Sequence, residues 1–234
     1  MIRRLLPARA PAHDPIRWRG AEPSRIESFS DAVFGFSITL LVLSVEIPKS
    51  YSGLIHLLHG VPAFAASFSL LATLWWRQCL FFRRYGLHDS ITAALNTIQL
   101  FVIVLYIYPV KFFFDASFAV MFGDPAGRTM MEGHDENGLL AIYLFGAGVV
   151  QLLSGMMILH AFRMRTVLEL TEEEESATLG SGFDALTTGL GFVGAPLVMH
   201  WLGLGSGLAV FGVALVLIRG AKFLRKRAAS KRKA

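Results

Sequence analysis

The sequence contains a single cysteine, Cys79, which excludes a disulfide within the chain and any metal site built from several cysteines. Charged residues are also scarce: they make up 17% of the 234 residues, whereas soluble domains carry about a quarter. Hydrophobic residues make up 54%, and the mean hydropathy is +0.53. This composition is typical of chains embedded in lipid, so we predict an integral membrane protein.

The residue combinations that enzymes use are missing too. No nucleophile, base and oxyanion donor occur at a suggestive spacing, so we predict neither enzyme activity nor a cofactor. The segment GLGFVG at 189–194 has the glycine spacing of a dinucleotide-binding loop, but no strand is expected before it. Glycines in an apolar segment are more typical of close helix packing in membranes.

What the sequence does contain is a series of hydrophobic segments separated by charged residues, glycine and proline. We expect an all-α membrane protein with six transmembrane helices per subunit. The expected spans are Ile26–Ile47, Val61–Phe82, Ile91–Phe113, Leu139–Phe162, Phe183–Trp201 and Leu208–Leu224. A short interfacial helix is expected at Leu54–Gly60, and the acidic run TEEEES at 171–176 is expected to be a solvated connection.

Several helix boundaries have local signals. Ser24 and Glu27 have the spacing of a capping box, so the first helix should begin close to Ile26. Pro48 should close this helix, and Pro62 suits the first turn of the second span. Pro109, late in the third span, is expected to kink its helix unless neighbouring groups bond the freed carbonyl.

Lysine and arginine indicate the orientation. If both termini are cytoplasmic, the inside segments hold 19 of these residues and the outside segments hold 3. We therefore expect a basic cytoplasmic segment at 1–24, a membrane domain at 25–224 and a basic cytoplasmic tail at 225–234. Such a tail is more typical of contact with anionic lipid than with nucleic acid, so the bilayer is the expected partner.

The first span is unusual because it carries polar residues. At about 100° per residue, one stripe of this helix lies within about 60° of Phe36. The stripe contains Arg25, Phe29, Ala32, Phe36, Thr39, Leu40, Leu43 and Ile47. Ser30 and Asp31 point away from it, and Asp31 should be paired inside the bundle because an unpaired carboxylate in lipid is costly. The candidate partners are Arg77, Gln78, Asn96 and Gln99.

These residues also form a recognisable motif. Arg25-x-x-x-Phe29-Ser30-Asp31, followed by Thr39-Leu40-Leu41 and ending at Pro48, resembles the first helix of the transmembrane protein 175 family. This family comprises the potassium-permeable channels of lysosomes and their bacterial relatives. The aromatic and basic end of the second span and the pair Leu95-Asn96 are also similar. One copy of the motif with six helices resembles the bacterial form, which implies a homotetramer in the bacterial inner membrane.

The resemblance implies roles for individual residues. Its central pore is lined by the first helix of each subunit, which corresponds here to Phe36 at a hydrophobic constriction with Thr39, Leu40 and Leu43 along the same face. Thr39 would contact passing potassium ions, and no resident metal is implied. The motif network comprises Arg25, Phe29, Ser30, Asp31, Gln78 and Asn96.

We therefore expect a passive channel for potassium and other monovalent cations. Phe36 is bulkier than the isoleucine or leucine usual in the family, which favours a narrower or drier constriction. Relatives commonly carry histidines where this chain has Gln78 and Cys79. With neither a charged ring nor a carbonyl filter, selectivity should be modest. The alternatives are a secondary transporter, for which no inverted repeat is visible, and a non-conducting membrane scaffold.

Overall fold

The computed structural model describes residues 16–20, 22–123 and 136–202, and all the regular structure within them is α-helical. The helices are α1 (Arg25–Leu43), α2 (Tyr51–His59), α3 (Val61–Tyr85), α4 (Ser90–Met121), α5 (Glu136–Arg163) and α6 (Glu172–Leu202). The all-α prediction is confirmed. Three of the described helices are long and apolar enough to cross a membrane, and α2 with α3, bent by 46°, would make a fourth span. The expected span Leu208–Leu224 lies outside the described residues.

The start of α1 is confirmed and its expected end is wrong. The amide of Glu27 donates to Ser24 Oγ at 3.3 Å, and the Glu27 carboxylate accepts from the Ser24 amide at 2.9 Å, so the capping box is complete. The helix ends at Leu43 rather than Ile47, because Ser44 caps it and its hydroxyl donates to the Leu41 carbonyl at 2.7 Å. An extended backbone before Pro48 is favoured in any case.

The next two helices follow their local signals. Helix α2, which was expected to be interfacial, begins at Tyr51, three residues earlier than expected, because Ser50 Oγ accepts from the Gly53 amide at 3.1 Å. Pro62 lies in the first turn of α3, as predicted. Helix α3 ends at Tyr85 and is capped by Gly86, whose positive φ of 59° favours glycine.

Two helices are longer than expected. Helix α4 continues through Pro109 to Met121, and Lys111 pairs with Asp115 one turn further on, which keeps the charges of this extension partnered. Helix α6 begins at Glu172, so the prediction that the acidic run connects two helices is wrong, and Glu174 within it is buried although Glu172 and Glu173 are exposed. Thr171 and Glu174 form the reciprocal hydrogen bonds of a capping box, at 3.4 and 2.9 Å.

The helices pack in sequence around a core that α1 helps to cover. Helix α1 contacts α3 and α4, α4 contacts α5, and α5 and α6 form the most extensive pair. The central apolar cluster comprises Phe34, Leu41, Leu71, Leu100, Ile103, Ile107 and Val150. One side of α1 is therefore fixed against its own subunit.

Glycines allow α5 and α6 to approach closely. A Cβ on Gly189 would lie 2.7 Å from Leu152 Cγ and 2.9 Å from its amide nitrogen, and one on Gly155 would lie 2.8 Å from Leu186 Cδ2. The first glycine of the GLGFVG segment thus packs a helix, as predicted, whereas Gly191 and Gly194 have nothing within 4 Å.

The N-terminal segment, residues 16–20, ties the ends of several helices together. Ile16 is buried in a cluster with Phe82 and Met157, and the amides of Arg19 and Gly20 donate to the Arg83 carbonyl at 2.8 and 3.0 Å. The segment precedes α1 by only a few residues, so it fixes where that helix enters the bundle.

Glu174 anchors this segment to α6. Its buried carboxylate accepts from the Arg17 amide at 2.7 Å, from Arg19 Nη2 at 2.8 Å and from the Thr171 amide at 2.9 Å. Burial raises the pKa of the Glu174 carboxyl, but the hydrogen bonds from Arg19, Thr171 and Arg17 outweigh burial and lower it to about 2. The carboxylate is therefore charged at neutral pH.

Candidate pore helix and its supporting network

Helix α1 has one face built for its own subunit. Ser30, Phe34, Ser37 and Leu41 are all buried, and they recur at helical spacing along the same side. Phe34 and Leu41 join the central apolar cluster. The hydroxyls of Ser30 and Ser37 each donate to a carbonyl one turn earlier, at 2.8 Å, so both are satisfied inside the helix.

The stripe predicted from the sequence lies on the other side of α1 and is open. Phe36 is 58% exposed and Leu43 is 73% exposed in the subunit, whereas Phe34 is 2% exposed. Thr39 is also exposed, and Leu40 is half-buried at the edge of the stripe. Phe29 and Ile47 continue the exposed line toward the two ends of the first span. In the described part of the subunit, this surface is largely uncovered apart from Leu40, which packs against the central cluster.

A buried polar network joins α1 to α3 and α4. The Asn96 side chain donates from Nδ2 to Ser30 Oγ at 3.0 Å and accepts from Gln78 Nε2. All three side chains are buried, and the amide of Asn96 uses both its donor and its acceptor to join two helices. Of the six residues expected in the motif network, these three are brought together.

The other three lie elsewhere. Asp31 is bonded to none of its four expected partners: its carboxylate accepts from Trp75 Nε1 at 2.8 Å, on an exposed side of the α1–α3 contact. Arg25 and Phe29 are exposed, and within the described residues no side-chain hydrogen bond joins either of them to the network. The indole N–H of Trp75 can only donate and the ionised carboxylate of Asp31 can only accept, so the two groups are complementary.

Two of the expected partners of Asp31 instead connect toward α5. Gln99 Nε2 donates to Ser154 Oγ at 2.6 Å and to the Val150 carbonyl at 3.2 Å, and Arg77 Nη1 donates to Gln151 Oε1 at 3.0 Å. These bonds extend the polar contacts from α1, through α3 and α4, to α5. Helix α1 is therefore bonded to α3 and α4, and these two helices are bonded in turn to α5.

Sequence reasoning missed Trp75 as the partner of Asp31. The two residues are 44 positions apart, and no spacing rule connects them. The available signal was chemical: a tryptophan near a membrane boundary needs an acceptor for its N–H, and Asp31 is an acceptor on the neighbouring helix.

The exposed stripe has a defined chemistry. It presents aromatic and aliphatic side chains along its middle and no charged group between Phe29 and Leu43. Its one hydroxyl, on Thr39, donates to the Gly35 carbonyl at 3.0 Å, which leaves the oxygen lone pairs facing outward. Such a surface offers a cation weak dipoles and an apolar wall, with no fixed ligand set.

Part of the chain matches a known protein family, and the chain is similar in sequence to several named relatives. Residues 25–106 match the family Endosomal/lysosomal potassium channel TMEM175. A potassium channel of Marivirga tractuosa is 38% identical over 164 residues, which cover 67% of this chain and 66% of that relative. A potassium channel of Streptomyces collinus is 27% identical over 196 residues, which cover 78% of this chain and 89% of the relative.

Solved structures are similar over nearly the whole chain. A variant of the potassium channel MtTMEM175, in complex with a nanobody–MBP fusion protein, has a TM-score of 0.77 and 30% identity, covering 92% of this chain and 97% of that chain. A TMEM175 homolog from Chamaesiphon minutus shares the fold with a TM-score of 0.53 at 21% identity, covering 83% of this chain and 93% of that one. The family match includes the whole of α1 together with Gln78 and Asn96. This chain belongs to the TMEM175 family of potassium channels.

Proposed function

We propose that this protein is a homotetrameric, potassium-permeable cation channel whose α1 helices surround a shared axis. The observation that carries the proposal is the division of α1 into two faces. Phe34 and Leu41 are packed into the subunit. Phe36, Thr39 and Leu43 lie along the same stretch of the helix and are exposed. In a ring of subunits the open stripe would line the pathway.

Phe36 would form the narrowest part of this pathway. A ring of phenylalanines around the axis forms an apolar constriction, and apolar constrictions resist ions by excluding water. Conduction would occur when the rings separate or water enters between them. Thr39, about one turn further along, would offer its hydroxyl oxygen to a partly dehydrated cation.

Selectivity is expected to be modest. The stripe carries no charged ring between Phe29 and Leu43 and is helical throughout that range, so it has no row of free backbone carbonyls. Potassium would be favoured over sodium only because its hydration shell is easier to remove. Other monovalent cations would pass at lower rates.

The supporting network would hold α1 in register during conduction. Ser30 is tied to Asn96 and Gln78, and Asp31 is tied to Trp75, so both polar residues are bonded to their own subunit. The excess of lysine and arginine in the expected inside segments supports cytoplasmic termini in a bacterial inner membrane.

Potassium flux into liposomes tests the proposal. Wild-type protein and Phe36→Ala are reconstituted at equal density, and uptake is followed under a potassium gradient. Because the smaller side chain widens and wets the constriction, Phe36→Ala should conduct severalfold faster than wild type. The control is Val42→Ala, which removes an exposed side chain about 120° from Phe36 around the same helix.

The alternatives give different results. A secondary transporter would show saturable flux that depends on a second substrate, and a scaffold would show no flux in wild type or Phe36→Ala. Equal acceleration by Phe36→Ala and Val42→Ala would mean that the stripe does not line the pathway, and the proposal would then be abandoned.

A further inference from the structure

The exposed stripe of α1 ends in a positive charge at Arg25. This residue is eleven positions before Phe36, so at about 100° per residue it lies within about 20° of Phe36 around the helix. Phe29, one turn after Arg25, is 54% exposed, and Arg25 is exposed as well. The line that the proposed pathway follows therefore continues past its apolar part to a guanidinium group.

The described part of the subunit does not pair the charge of Arg25. Within it, no hydrogen bond or ion pair engages the Arg25 guanidinium group. The carboxylate of Glu27, two residues further on, is bonded instead to the Ser24 amide at 2.9 Å. The helix itself does not stabilise this charge, because the N-terminus of an α-helix is its positive end and favours an acidic side chain. Local stability therefore gives no reason for a basic residue at the start of α1.

Symmetry would bring these charges together. In the proposed tetramer every residue of the stripe occurs four times around the axis, so Arg25 would contribute four guanidinium groups at one level. The positive ends of the four α1 helices point to the same level. Arg25 lies about 16 Å from Phe36 along the helix, at about 1.5 Å per residue. This distance exceeds the screening length of about 8 Å at physiological salt, so the ring would act on ions at the mouth rather than at the constriction.

We propose that four Arg25 side chains form a positive ring at the cytoplasmic mouth and make conduction rectify inward. This inference rests on the proposed tetrameric channel with cytoplasmic termini. A positive potential at one mouth lowers the local concentration of potassium on that side, so outward current falls relative to inward current. A potential of about kT/e there lowers the local concentration of a monovalent cation about threefold. The ring is remote from the constriction, so it should leave the preference for potassium over sodium unchanged.

Current–voltage curves from inside-out patches, with equal potassium concentrations on both sides, test the ring. At about 0.1 M salt, Arg25→Gln should raise the ratio of outward to inward current about threefold, and Arg25→Lys should keep the wild-type ratio. At about 1 M salt the screening length shrinks to about 3 Å, so wild type and Arg25→Gln should give the same ratio. Arg163→Gln is the matched control and should behave as wild type, because Arg163 is an exposed arginine in the last turn of α5, away from the stripe.

The charge can also be restored chemically after the channel has assembled. Arg25→Cys is made in a Cys79→Ala background, so that it is the one cysteine of the chain. A methanethiosulfonate forms a disulfide with the thiolate and releases methanesulfinate. A reagent carrying a trimethylammonium group, applied to the cytoplasmic side, should lower the current ratio to the wild-type value, and one carrying a sulfonate should raise it. A merely structural role of Arg25 would not give opposite responses to the two charges.

The results separate this inference from the proposed channel. If Phe36→Ala accelerates flux more than Val42→Ala but Arg25→Gln leaves the current ratio unchanged at low salt, the pathway stands and the ring is wrong. If Phe36→Ala does not exceed Val42→Ala, the pathway and the ring are wrong together. Equal shifts for Arg163→Gln and Arg25→Gln would indicate diffuse surface charge, and equal responses to the two reagents would indicate a steric effect. Either result would overturn the ring.

Discussion

The Asn96 side chain of α4 donates to Ser30 Oγ of α1 at 3.0 Å, and both residues are buried. The same Asn96 amide accepts from Gln78 of α3, so a single side chain joins three helices. Ser30 follows Phe29 in the motif and lies one turn before Phe34 of the core. Together with the packing of Phe34 and Leu41, this bond fixes the rotation of α1 and so the direction of the exposed stripe.

Replacing Asn96 with alanine should destabilise the protein. The Gln78 amide would lose its acceptor in a buried site, whereas Ser30 would keep the Ile26 carbonyl as its own acceptor. One stranded donor costs about 1–3 kcal/mol of the free energy of unfolding. Unfolding in detergent, with denaturant as the variable, measures this loss.

The control for that experiment is the adjacent Thr97→Ala. Thr97 is exposed and its hydroxyl donates only to the Ala93 carbonyl of its own helix, at 2.9 Å. Its removal should change stability by less than about 0.5 kcal/mol. If Thr97→Ala lowered the free energy of unfolding as much as Asn96→Ala, any substitution in this part of α4 would be destabilising, and the loss could not be assigned to the buried network.

The local signals in the sequence were sufficient for some elements. The capping box at Ser24 and Glu27 places the start of α1 because both partners lie within one turn. The stripe at Phe36 follows from helical geometry alone. What the sequence does not contain is the neighbour of each face, and the pairing of Asp31 with Trp75 depends on how α1 and α3 pack.

The same distinction explains the error at the start of α6. Thr171 and Glu174 have capping-box spacing, but a run of consecutive glutamates indicated a solvated segment. Glu174 is buried because Arg17 and Arg19, more than 150 residues earlier, supply its hydrogen bonds. Hydrogen-bonded partners of this kind allow a carboxylate to be buried, whereas an isolated carboxylate would remain in contact with water.

The close packing of α5 and α6 gives a second prediction. Gly189→Ala places a Cβ 2.9 Å from the Leu152 amide nitrogen, and a backbone atom cannot move aside alone, so the helices must separate. The expected cost is about 1–3 kcal/mol of the free energy of unfolding. Thermal or denaturant unfolding in detergent measures it.

Gly191→Ala is the matched control for this packing. It lies on the same helix with nothing within 4 Å, so the new methyl group meets no neighbour among the residues that the structure describes. Alanine should leave stability unchanged or raise it by up to about 1 kcal/mol, because glycine is the poorer helix former. Equal losses at both positions would contradict a role for close approach at Gly189.

Glu174 predicts how stability depends on pH. Its pKa is lowered from an ordinary 4.5 to about 2 in the folded protein, so its contribution is complete above pH 4.5 and is lost as the pH falls toward 2. Glu174→Gln should therefore lower stability at pH 7 and flatten the loss between pH 4.5 and 2. Unfolding midpoints recorded across this range measure both effects.

Glu172→Gln is the comparison for that series, because Glu172 lies in the same turn of α6 and is exposed. Its pH profile should match that of wild type. If Glu172→Gln flattened the profile as much as Glu174→Gln, the acid sensitivity would come from the summed charge of the glutamate run rather than from the anchored carboxylate.

Chemical modification of cysteines introduced singly at two adjacent positions, in a Cys79→Ala background, tests the direction in which the stripe faces. Leu43 and Val42 are both exposed in the subunit, at 73% and 52%, and lie at nearly the same depth, but they point about 100° apart. A thiol reacts through its thiolate, which requires water. A water-soluble methanethiosulfonate should therefore modify Leu43→Cys and reduce potassium flux, whereas Val42→Cys should react slowly without changing flux. If Val42→Cys reacted faster and blocked the flux, α1 would be rotated, and the Ser30–Asn96 bond could not be what orients it in the assembly.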